Sequence, residues 1–287
     1  MSLFRQIIIA LIFLLFPLFC ISQTAFEVPD SRVVELYSKK LDRTYSIFIK
    51  TPPGYEDEKN KKRRYPVVYM TDGRRAIQIA SGGLSTVMRQ EQFEPQILVG
   101  LGYEKGKSSR YSRTRDYTPT EIVLRREGHI TGGASDYLKF LKDEVFPYIE
   151  SNYRAVKGER TYTGSSAGAL FGSWVLVNEP SIFQNYILIS PPIRFDEKVI
   201  LEMEAAYAKK NKQLKAKVYL AVGSLEMPPY LNEENMVREL YEFVNALNSR
   251  NYEFLDLKYD VLDNALHVTA FPVGLMKGSH WLFFKGP

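Results

Sequence analysis

Gly164-Ser165-Ser166-Ala167-Gly168 has the form G-x-S-x-G. In that pattern a strand ends, the chain turns sharply into a helix, and the middle serine is left exposed at the turn. The two glycines let the backbone make that turn. A serine hydroxyl is a weak nucleophile near neutral pH and needs a base beside it. Five residues of this form also arise by chance. Their meaning depends on what surrounds them: a strand before, a helix after, then an acid, then a histidine.

Working outward, residues 160–163 are short and rich in Thr and Tyr, as a strand before the turn would be. Residues 167–178 are apolar nearly all round and stop before Pro180, the pattern of a buried helix. Upstream, residues 33–37 and 45–50 read as an antiparallel pair. Residues 66–70 form an apolar run into Thr71-Asp72-Gly73, and 96–100 form another. Residues 136–153 carry Tyr137, Leu141, Val145 and Ile149 along one helical face, with Pro147 expected to bend it. Residues 186–190, 218–222 and 254–261 continue the strands, and Met236, Leu240, Phe243 and Leu247 mark a further amphipathic helix. Alternating strands and helices predict an α/β chain with a mostly parallel central sheet and helices on both faces.

The chain has 287 residues. Residues 7–19 are apolar apart from Pro17 and follow Arg5. The run is shorter than the about 20 residues of a membrane span and reads as a signal-peptide core. Residues 1–22 are therefore expected to be a signal peptide cut before Gln23. Residues 23–287 are expected to form one domain, exported to the periplasm or beyond; an uncleaved N-terminal membrane anchor is the alternative. Cys20 is the only cysteine, so the mature chain would have no disulfide and no thiol nucleophile. With three scattered histidines, no metal site is expected and no cofactor is required. The net charge is +5, and residues 59–64 form a basic cluster. Its lack of interleaved aromatics favours a solvated loop over a nucleic-acid patch.

The acid and the histidine follow from order and position. Glu226 lies just past the strand at 218–222, where open α/β sheets place functional loops. Its role would be to fix the histidine tautomer and stabilise the imidazolium. Asp256, Asp260 and Asp263 compete; the first two lie within a strand and the third is close in sequence to His267. His129 precedes the serine, and His280 sits beside Trp281 at an expected helix end. His267, in a short loop after the last strand, is the expected base. The oxyanion donors would be the backbone N–H groups of Ala167 and Arg74, with Gly73 the alternative to Arg74.

Several blocks extend these residues into a resemblance. They are 65–73 ending in Asp-Gly; 99–103 followed by 113–119; Gly132-Gly133-Ala134 followed by 140–141 and 147–149; and 267–274. Together they resemble the esterase D type of α/β-hydrolase, the group that includes enterochelin-esterase-like siderophore hydrolases. The resemblance runs from about residue 33 to 284. It implies an α/β-hydrolase fold and carboxylic-ester hydrolysis through an acyl-serine at Ser166. It also implies that Arg115 and Asp116 shape the rim or floor of the site, or else form a structural salt link. The family often has a bulky residue where Ser165 stands and a Trp-rich segment where this chain reads Pro192-Ile193-Arg194-Phe195. A basic pocket from Arg113, Arg115 or Arg194 would suit an anionic catecholate complex, such as a ferric siderophore. Feruloyl or acetyl carbohydrate esters, acyl transfer to a sugar hydroxyl, and a catalytically silent binding role remain open alternatives.

Overall fold

The computed structural model describes residues 25, 27–123, 129–231 and 234–286. The expected signal peptide, with Cys20, lies outside the described residues. Among the described residues no helix is long and apolar enough to cross a membrane.

Eight strands form one sheet: β1 (Ser31–Ser38), β2 (Arg43–Lys50), β3 (Tyr65–Met70), β4 (Ile97–Glu104), β5 (Ala155–Ser165), β6 (Asn185–Ile189), β7 (Gln213–Gly223) and β8 (Glu253–Leu262). Their spatial order is β1-β2-β4-β3-β5-β6-β7-β8. β1 and β2 are antiparallel, β2 pairs antiparallel with β4, and every other neighbouring pair is parallel. The central strands are buried on both faces and read as unbroken apolar runs, as at Tyr186–Ile189 of β6.

Helices cover both faces. On one lie α1 (Gly73–Arg89), which joins β3 to β4, and α8 (His267–Phe283), which follows β8. Their apolar stripes, including Ile77, Leu84, Phe271 and Leu275, pack with Met70, Leu98, Ile189 and Ala221 of the sheet. The other face carries α3 (Ala134–Phe140), α4 (Phe146–Asn152), α5 (Ala167–Asn178), α6 (Phe195–Lys210) and α7 (Met236–Ser249). A short α2 (Ser109–Asp116) follows β4. This arrangement is the α/β-hydrolase fold.

The single helix expected over 136–153 is broken into α3 and α4 by a wider π turn at Leu141–Val145. Pro147 has no N–H to give to a carbonyl one turn back, and the looser turn absorbs that loss. After β3 the chain crosses to one side of the sheet, and after β5 it crosses to the other. The carboxyl ends of these two neighbours therefore flank a crevice at the topological switch point.

Candidate active site

Ser166 stands between the end of β5 and the first turn of α5, with φ 56° and ψ −124°. A non-glycine residue there carries strain of about 1–3 kcal/mol, held by its surroundings. Its N–H is tied to the Ile189 carbonyl of β6 at 2.9 Å. The two glycines of the elbow serve close approach rather than unusual dihedrals. A Cβ on Gly168 would stand 2.1 Å from Thr71 Oγ1, and one on Gly164 would stand 2.5 Å from the Gly168 backbone. The elbow is thereby pressed onto the end of β3, where Thr71-Asp72-Gly73 begins α1.

Glu226 and His267 meet across the ends of β7 and β8. Glu226 is 1% exposed, and its Oε2 lies 2.5 Å from His267 Nδ1. Its other oxygen, Oε1, accepts from the Gly223 N–H at 2.8 Å and from the Ser190 hydroxyl at 2.6 Å. A carboxylate at Nδ1 keeps the proton on that nitrogen and leaves Nε2 to accept one. His267 is half-buried and opens α8. The loop before it is fixed on the Glu226 turn: Ser224 N–H reaches the Leu262 carbonyl at 2.8 Å, and Leu225 N–H reaches that of Ala265 at 3.1 Å. Phe271, one turn along α8, shares a small cavity with Ser165, Thr71, Asp72 and Arg75. The elbow, the start of α1 and the first turn of α8 thus converge.

The competing acids lie elsewhere. Asp260 accepts from Tyr219 OH at 2.6 Å within the sheet, Asp256 is exposed beside Lys217, and the exposed Asp263 accepts from Asn264. His280 is stacked on Phe284 at 4.6 Å, a packing role. Among the described residues no group of His, Cys, Asp and Glu is arranged to hold a metal ion.

Ala167 and Arg74 are the first and second residues of α5 and α1. N–H groups at these positions have no intrahelical acceptor and point out of a positive helix end. Asp72, just before α1, has φ 57°; its Oδ1 accepts from Tyr103 OH at 2.7 Å and is ion-paired with Arg113, 2.8 Å from its Nε. Burial opposes the charge on Arg113, but Asp72 outweighs it and the guanidinium pKa rises. Burial, then the nearby Asp72 charge, pushes the Tyr103 phenol up.

The residues expected to face substrate are held in ion pairs within the fold. Arg115 and Asp116 are 4% and 2% exposed and grip each other, with Arg115 also bonded to Glu104 and to Tyr45 OH. They form the structural salt link, because a charged pair at this depth needs every partner it has. Burial opposes the charge on Arg115, but Asp116 and Glu104 raise its pKa. Burial likewise raises the Asp116 pKa, against the pull of Arg115. Arg194 is held by Glu239 at 3.0 Å and Glu234 at 2.6 Å, so it offers no spare charge. Around it Ile193 is fully buried and Phe195 packs on the core, so these residues do not present an aromatic wall. Arg113 is committed to Asp72. Arg74 and Arg75, at the start of α1, are exposed, and Arg75 Nη2 reaches the Val268 carbonyl at 3.4 Å. Sequence reasoning also passed over Ser190, whose polar side chain at a strand end was the available signal.

Over residues 38–269 the sequence matches the Esterase family, described as "Putative esterase". The chain belongs to this esterase family. It is similar to the ferri-bacillibactin esterase BesA of Bacillus subtilis, with 30% identity over 88% of this chain and 89% of that protein. It is also 28% identical to the siderophore triacetylfusarinine C esterase of Aspergillus fumigatus, over 86% of this chain and 82% of the relative. Among solved structures, the BES protein from Bacillus cereus superposes with a TM-score of 0.77 at 28% identity, covering 91% of this chain and 98% of that one. This esterase is a carboxylic ester hydrolase of the α/β-hydrolase fold.

Proposed function

We propose that this esterase is an exported serine hydrolase that cleaves siderophore esters through an acyl-serine intermediate. The observation that carries the serine chemistry is the strained Ser166 elbow at the same carboxyl edge of the sheet as the Glu226–His267 pair, whose carboxylate and imidazole are 2.5 Å apart.

Ser166 Oγ attacks the ester carbonyl while His267 Nε2 takes its proton. Glu226 holds the imidazole in the Nδ1–H tautomer and stabilises the imidazolium that forms. The N–H groups of Ala167 and Arg74 receive the oxyanion at the positive ends of two helices. His267 then protonates the leaving alkoxide, and water repeats the sequence on the acyl-enzyme to release the acid.

The substrate class is supported by the relatives, which include a ferri-bacillibactin esterase and a triacetylfusarinine C esterase. The exposed Arg74 and Arg75 beside the oxyanion loop suit an anionic iron complex. Export rests on the apolar segment at 7–19. The test is a panel of ferric trilactone siderophore, iron-free trilactone, feruloyl ester and short acyl ester, with products separated by chromatography. The proposal expects kcat/KM highest on a siderophore ester and abolished in Ser166→Ala. Preference for the feruloyl ester would overturn the substrate, and activity retained in Ser166→Ala would overturn the mechanism.

A further inference from the structure

Three neighbouring strands end in non-glycine residues with positive φ: Asp72 after β3 at 57°, Ser166 after β5 at 56° and Ser190 after β6 at 53°. The first anchors the loop that opens α1, and the second is the nucleophile of the proposed reaction. Ser190 has no such part in the mechanism above. Its backbone is the kind that glycine adopts freely and that other side chains occupy at a cost. A serine there retains a strain that glycine would relieve, so its hydroxyl has to repay the difference.

That hydroxyl is fully buried and donates to Glu226 Oε1 at 2.6 Å. The Ser190 N–H is itself pinned to the Ala221 carbonyl of β7 at 2.7 Å. Together with the Gly223 N–H, it takes up Oε1 and leaves Oε2 aimed at His267. A buried carboxylate that loses one of its donors is less well solvated and less firmly held about its terminal bond.

We propose that Ser190 is a positioning residue for the ester-cleaving site. It locks the Glu226 carboxylate in the orientation that presents Oε2 to His267, and its strained backbone places the hydroxyl to do so. The inference rests on Glu226 acting as the acid of the serine mechanism.

The test compares Ser190→Gly, Ser190→Ala, Glu226→Gln and the double variant Ser190→Gly/Glu226→Gln on one ester substrate. Thermal unfolding and the low-field proton resonance of the His267 Nδ1–H are followed alongside. Ser190→Gly removes the hydroxyl and relieves the backbone, so a merely structural serine would leave kcat intact. Positioning predicts that both single Ser190 variants lose about 10- to 100-fold in kcat with KM little changed. Relieved strain and the lost donor oppose each other in Ser190→Gly, so its unfolding temperature should change little, while the Nδ1–H resonance should shift or broaden. In the double variant the glycine should cost nothing beyond Glu226→Gln, because the two act as one unit. Wild-type kcat and an unmoved resonance in Ser190→Gly, with Glu226→Gln strongly impaired, would overturn the role of Ser190 alone. Wild-type kcat in Glu226→Gln would overturn it through the reading on which it rests.

Discussion

The two edges of the sheet are made from the same strands but differ in what gathers there. The amino edge has two large concavities. One cleft of about 780 Å³ is lined by residues that include Gln184, Asn185, Gln213 and Phe254, and another of about 610 Å³ by Arg32, Arg64 and Arg154 among others. The carboxyl edge has a small cavity beside the Ser166 elbow. Strain does not by itself separate them, since Phe254 on the amino edge also has φ 69°. Unspent polar chemistry does. The amides of the amino-edge cleft are bonded within the fold: Gln184 accepts from Arg160 N–H, Asn185 donates to Thr161, and Gln213 donates to Glu253. At the carboxyl edge two helix N-termini and a carboxylate-backed imidazole converge beside a strained serine. The proposed site is thus distinguished by groups held ready and not by volume.

Substitutions at the two edges should separate them by their effect on turnover. The largest effect is expected for Ser166→Ala, with kcat lowered about 10⁴- to 10⁶-fold in ester hydrolysis. The companion variant Ser166→Gly should be equally inactive yet more stable by about 1 kcal/mol in urea unfolding, because glycine relieves the positive φ. Glu226→Gln should lower kcat about 10²- to 10⁴-fold, since the amide no longer stabilises the imidazolium. Arg115→Ala should act on stability and not on KM. It leaves Asp116 buried without its main partner and should cost about 3–5 kcal/mol in urea unfolding. A raised KM with unchanged stability would return Arg115 to the substrate site. The smallest effect is expected for Phe254→Ala in the amino-edge cleft, where kcat/KM on the siderophore ester should match the parent. A tenfold loss there would show that the large cleft takes part in substrate binding.

Much of this was legible from the sequence, for identifiable physical reasons. The strands at 66–70 and 186–190 are central and buried on both faces, so their apolar runs are conspicuous, and the structure places β3 and β6 there. The helix at 167–178 was legible because it is buried all round. Residues 73–89 escaped notice as a helix. Gly82 and Gly83 interrupt the segment, and Asp72 before it adopts a left-handed conformation without a side-chain cap bond. Only three histidines to choose from, and the order of serine, acid and histidine, brought attention to Glu226 and His267, which the structure sets 2.5 Å apart. The arginines were misplaced because sequence shows charge and not partners. Glu104 is 11 residues from Arg115, and Glu239 is 45 from Arg194, so only folding reveals that both cations are already engaged. Ser190 was missed for a related reason: its value lies in a backbone angle and a partner 36 residues away.

The central claim is that Ser166 becomes acylated during turnover. It is tested most directly by quenching the reaction with excess ester in acid within the first turnovers and weighing the peptide that carries residue 166. An acyl-serine route requires an added mass equal to the acyl group on Ser166, absent from Ser166→Ala and slow to form in His267→Ala, which lacks the base for the attack. Steady turnover by the parent protein with no acyl adduct at any quench time, and comparable turnover by Ser166→Ala, would contradict it.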